Sequence, residues 1–207
     1  MEITANLVRD LREKTGAGMM DCKKALVETS GDFEKAIEYL RKKGIAAASK
    51  KAGRTTREGA VTSYIHGEGR VGVLLEVNCE TDFVARTDQF RNFVKDVAMH
   101  VAAASPQWVR SEEVPAEIIA KEKEIAVAQM QSQNKPQAVL EKIAEGKVKK
   151  FYEDTCLLHQ VFVKDPSKTI EQLQKETIAV LGENISIRRF ARFVLGEGLI
   201  QSEAAEG

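Results

Sequence analysis

The residues most suggestive of chemistry in this chain are a glycine-rich hexapeptide, Gly67-Glu68-Gly69-Arg70-Val71-Gly72, which matches G-x-G-x-x-G. A dinucleotide loop of that form must run from a strand into a helix, because the pyrophosphate sits on the helix N-terminus. Here the flanks alternate like strands on both sides, with Val61, Ser63 and Ile65 before it and the apolar run Val71 to Val77 after it. The hexapeptide therefore reads as a hairpin turn. Other chemistries fare no better. The chain contains no G-x-x-x-x-G-K-[ST], no H-E-x-x-H, no G-x-S-x-G and no EF-hand loop. His66, His100 and His159 have no Cys or His at metal-ligand spacing. Cys22, Cys79 and Cys156 are odd in number and widely spaced, which argues against a disulfide framework and fits a reducing compartment. Glu112, Glu113, Glu117 and Glu122 fall on amphipathic stretches and read as solvated faces. The expectation is a binding protein that is not an enzyme and uses no metal or cofactor.

Two local features resist a bland account. Met19-Met20 stands at a turn between helices, either as core or as an adaptable apolar contact surface. Asn78-Cys79-Glu80-Thr81-Asp82-Phe83-Val84-Ala85-Arg86 follows the apolar strand and precedes a helix. On residue chemistry alone, Asp82 reads as a cap or turn former and Phe83 as a core aromatic. The alternative is an acid and an aromatic presented at a strand end, within reach of a partner.

The elements that must position these residues follow from periodicity. Ile3, Leu7, Val8 and Leu11 repeat at helical spacing behind a Thr4 cap, up to Gly16-Ala17-Gly18. A second helix begins near Met20 or Asp21. A third, capped after Ser30-Gly31-Asp32, carries Phe33, Ala36, Ile37 and Leu40 and is expected to stop at Gly44. Residues 41 to 57 hold Arg41, Lys42, Lys43, Lys50, Lys51, Arg54 and Arg57 and no acid. That stretch reads as a solvated linker, with a contact strip for RNA or an acidic partner as the alternative. Beyond the hairpin, helices are expected at 88–104, 115–133, 136 to about 154 and 169–182, with Pro115 and Pro136 near helix starts. Ile185, Ile187, Phe190, Phe193 and Val194 make a late strand whose imperfect alternation suggests a bulge.

The fold class is thus α+β: a three-helix bundle over 1–45, a basic linker over 46–57, a core over 58–199 with a three-stranded antiparallel sheet covered by helices, and a flexible tail over 200–207. Apolar residues make up 43% of the 207, enough for a real core. Lys+Arg and Asp+Glu are 31 each, so the basic excess of a generic nucleic-acid binder is missing. No apolar run approaches ~18 residues, so no membrane span is expected. The N-terminus M-E-I-T-A-N has no signal-like apolar segment, and a soluble cytoplasmic location is expected.

Several long motifs in order resemble the elongation factor Ts family. They are Leu11 to Leu26, Leu75 to Ala85, Ala98 to Ala103, Lys164 to Thr169, and Arg192-Phe193 followed by Gly196-Glu197-Gly198. The resemblance implies a guanine nucleotide exchange factor for elongation factor Tu, which binds the GDP form, displaces Mg²⁺ and promotes GDP release so that GTP can reload. It implies that the N-terminal bundle is a ubiquitin-associated-like (UBA-like) module docking on the partner's GTPase domain, with Met19, Met20 and Lys23 as contacts. Thr81, Asp82, Phe83 and Val84 correspond to the element that dislodges Mg²⁺, and His100 to a position touching the GTPase domain near the phosphate site. The longer family form has two related core subdomains, whereas here both motifs fall in one core unit. The resemblance therefore implies a homodimer that supplies the second half by symmetry.

Overall fold

The computed structural model describes residues 3–131 and 136–198. Its first three helices are α1 (Ala5–Thr15), α2 (Met19–Glu28) and α3 (Phe33–Lys51). Thr4 caps α1 by accepting from the Leu7 N–H at 3.3 Å, and Gly16 ends the helix in the left-handed region at φ 67°. Asp32 caps α3 by accepting from the Lys35 N–H at 3.0 Å. Val8, Leu11, Cys22, Ala25, Leu26 and Ala36 form the small core of this bundle.

The expected stop at Gly44 is wrong. α3 continues to Lys51, so residues 46–51 of the expected linker are helical. The glycine serves close packing rather than termination. A Cβ on Gly44 would lie 2.8 Å from the Ala179 Cβ, so only glycine lets α3 approach α8 (Ile170–Leu181) this closely. Further along α3, Ala48 is buried in the main core. Arg41 on α3 meets Glu176 on α8 at 3.1 Å. One helix therefore belongs to both hydrophobic units. Of the seven basic residues in 41–57, Arg41, Lys42, Lys43 and Arg54 are ion-paired within the chain, to Glu176, Glu38, Asp21 and Glu80. That leaves less of the strip for an outside partner.

The sheet is built in the order β1 (Glu58–His66), β2 (Val71–Cys79), β3 (Ile185–Val194), all antiparallel. The glycine-rich hexapeptide makes the turn from β1 into β2, with the Arg70 N–H bonded to the His66 carbonyl. The register of β2 on β3 shifts between Glu76 and Val77, leaving Arg188 as the extra residue of a bulge. One sheet face carries Val73, Leu75, Val77, Cys79, Ile185 and Ile187 into the core. There they pack with Phe90, Val97 and Val101 of α5 (Asp88–Ala104) and with Ile170 and Ile178 of α8. The other face leaves Val61, Ile65, Leu74 and Phe193 exposed.

Between α5 and α8 the chain makes a helical hairpin, α6 (Ala116–Gln131) and α7 (Gln137–Thr155), closed on itself by Ala126, Leu140, Ala144 and Val148. The last two positions expected for the 115–133 helix, and the expected flexible tail, lie outside the described residues. No helix among the described residues is long and apolar enough to cross a membrane.

Candidate partner-binding site

β2 ends at Cys79, whose buried thiol donates to the Thr81 carbonyl. The chain then turns into a single helical turn, α4 (Asp82–Ala85). Thr81, not Asp82, is its N-cap: the Thr81 hydroxyl accepts from the Val84 N–H at 3.5 Å. Asp82 is instead the first helical residue, and its carboxylate takes a hydrogen bond from Arg86 at 2.7 Å. α4 yields at once to α5, whose cap Thr87 also donates to the Val84 carbonyl at 2.8 Å.

This short helix decides whether Phe83 is core or surface. Val84 turns into the core, Ala85 packs against that core, and Phe83 points outward, 78% exposed. The core reading of Phe83 is therefore overturned. An aromatic ring left in water on a rigid turn holds ~1.5–3 kcal/mol of burial energy in reserve for a partner. On α2, Cys22, Ala25 and Leu26 face the bundle core, which leaves Met19 (44% exposed), Met20 (75%), Lys23 and Val27 on the outer side. These methionines are surface, and they fit an adaptable contact.

His100 goes the other way. It is 0% exposed, because it lies on the inward side of α5 beneath the loop before α8. Its Nδ1 accepts from the Val163 N–H at 3.3 Å, so Nε2 carries the proton and donates to Gln160 Oε1 at 3.0 Å. Gln160 in turn donates to the carbonyls of Asp154 and Ala104. Burial pushes the imidazole pKa below its ordinary value, and the Gln160 bond opposes that only in part. The expectation that His100 touches a partner does not fit this geometry, since its side chain offers no surface.

Sequence reasoning missed the residues behind the Phe83 turn. Glu183 accepts two hydrogen bonds from Thr81, and Glu80 accepts from the Asn184 N–H. These partners are more than one hundred positions apart, and no local pattern announces them. The three cysteines are buried and free, and burial raises each thiol, Cys79 to about 11. They are not thiolates at neutral pH. Among the described residues no group of three or more His, Cys, Asp or Glu could hold a metal ion.

The family model described as "Elongation factor TS" matches residues 3–197. The chain belongs to the elongation factor Ts family. It is similar to Elongation factor Ts of Geobacter sulfurreducens, at 64% identity over 99% of this chain and 94% of the relative. It is likewise similar to Elongation factor Ts of an Anaeromyxobacter species, at 65% identity over 96% of this chain and 90% of the relative. A third, from Citrifermentans bemidjiense, is 63% identical over 99% and 94%. Within this elongation factor Ts fold, the motif Leu75 to Ala85 runs from the centre of β2 into α4, so family resemblance and surface exposure meet at Phe83. The motif Ala98 to Ala103 lies wholly within α5, where His100 is interior.

Proposed function

We infer that the protein is the guanine nucleotide exchange factor for elongation factor Tu in translation, acting in the cytoplasm. The observation that carries this reading is Phe83, exposed on a capped single-turn helix inside an elongation factor Ts motif. Exchange breaks no covalent bond. The factor must bind the nucleotide-free partner better than the GDP-bound one, and linkage then weakens GDP by the same ratio. Each ~1.4 kcal/mol of such coupling is tenfold in affinity. Phe83 inserts between elements of the partner's GTPase domain, and its burial offsets displacement of the Mg²⁺ site. Asp82 and Thr81 set the turn from which it projects, and Val84 anchors that turn in the core. Met19, Met20 and Lys23 on α2 dock the N-terminal module.

The outer face of the sheet supports a homodimer. An antiparallel sheet with one solvated face normally alternates apolar-in and polar-out. Here Ile65 and Phe193 flank Gly72, and Leu74 lies beside them between Ser63 and Ala191. A second copy of this chain, related by a two-fold axis, covers that patch with itself.

The test is release of labelled GDP from elongation factor Tu in stopped flow, with and without saturating factor. Acceleration supports exchange, and an unchanged rate ends the reading. Leu74→Lys with Phe193→Glu yields monomers in analytical ultracentrifugation if the sheet face is the dimer contact, and dimers if it is not.

A further inference from the structure

Two acidic residues, remote from each other in sequence, brace the turn that carries Phe83. Glu183, in the loop between α8 and β3, takes the Thr81 N–H at 3.0 Å and the Thr81 hydroxyl at 2.6 Å. Glu80 reaches the opposite way and accepts from the Asn184 N–H at 2.6 Å. The buried Asn184 side chain donates to the carbonyls of Ala52, at 3.3 Å, and Arg54, at 2.8 Å. The loop Glu183–Asn184 thus grips the exchange turn on one side and the segment leaving α3 on the other.

The turn needs such a grip. A helix of one turn has no stability of its own. Its own backbone bonds are long, Ala85 N–H to the Thr81 carbonyl at 3.3 Å and Arg86 N–H to the Asp82 carbonyl at 3.2 Å. A hydroxyl offers one donor and two acceptor sites. The Thr81 hydroxyl can therefore donate to Glu183 while it caps the Val84 N–H, and the carboxylate fixes the rotamer in which the cap works. Hydrogen bonds to an ionised acceptor are the stronger kind.

We propose that Glu183 is a positioning residue for nucleotide exchange: it holds the Thr81 cap, and through it the direction of Phe83, without itself being part of the exposed ring's surface. The proposal rests on the exchange reading above, and its test separates the two. Glu183→Ala removes both acceptor oxygens, and Glu183→Gln keeps an uncharged one. In the free protein, amide hydrogen exchange at Ala85 and Arg86 rises about tenfold in Glu183→Ala and less in Glu183→Gln, the scale of one charge-assisted bond. Sheet amides such as Leu75 keep their protection. With elongation factor Tu, the maximal rate of GDP release falls about tenfold in Glu183→Ala, and Glu183→Gln recovers part of it. The half-saturating concentration moves far less, because the α2 contacts are intact. Unchanged protection of α4, a uniform loss of protection across the sheet, or a loss of affinity at an unchanged maximal rate each overturns the proposal. If the wild-type chain releases no GDP, the exchange reading falls, and the amide measurement alone decides whether Glu183 holds the turn.

Discussion

Phe83 and His100 each stand in a stretch that resembles the elongation factor Ts family, yet the fold treats them as opposites. Phe83 is 78% exposed on a single helical turn, and His100 is 0% exposed on a long helix, with both ring nitrogens engaged. The difference lies in what each element can bury. α5 is flanked by the sheet and by the loop before α8, so its inward side is closed over. α4 turns Val84 into the core with the small Ala85 packed beside it, and leaves Phe83 outside. Lying in a stretch that resembles the family does not by itself separate contact from scaffold, and burial makes that separation.

Removing each side chain sharpens the contrast. His100→Ala lowers unfolding free energy in urea by ~2–4 kcal/mol, because it leaves a cavity and strands the Val163 N–H and Gln160. A stability change within ~0.5 kcal/mol, the range of an ordinary surface substitution, would place His100 outside the core after all. Folded Met20→Ser weakens partner binding by about 1 kcal/mol through lost apolar contact, with stability unchanged; isothermal calorimetry measures it. Acid provides a third comparison. His100 is held neutral in the fold, with its pKa below the ordinary 6.5, so the unfolded chain binds the extra proton first. Its stabilising contribution is complete above about pH 6.5 and is lost as pH falls through the lower folded value. The urea midpoint of the wild type drops across that window more steeply than that of His100→Gln, and parallel profiles would remove His100 as the cause. The smallest effect belongs to the exposed pair Asp82–Arg86: Arg86→Ala costs ~0.3–0.5 kcal/mol in thermal unfolding, and salt erases it.

Much of this architecture is legible in the sequence. The hairpin, the α5 limits and the bulge of β3 follow from period-2 and period-3.6 patterning and from turn glycines, all of them local signals. Gly44 misled because a glycine that permits close packing on Ala179 looks, in one dimension, like a glycine that ends a helix. Residue chemistry alone left Phe83 between two readings for a related reason. Aromatics are usually interior, and only the placement of Val84 shows which of two adjacent side chains the core has taken. The Glu183–Thr81 contact leaves no trace, since it joins two loops far apart in the chain and a single sequence carries no mark of that pairing.

The central claim is that Phe83 does its work on the surface of a partner. The most direct measurement is the maximal rate of labelled GDP release from elongation factor Tu at saturating Phe83→Ala. Loss of ~1.5–3 kcal/mol of apolar burial predicts a fall of about 10- to 100-fold, with the urea midpoint of the free protein unchanged. Release at the wild-type rate by a folded Phe83→Ala protein would contradict the account.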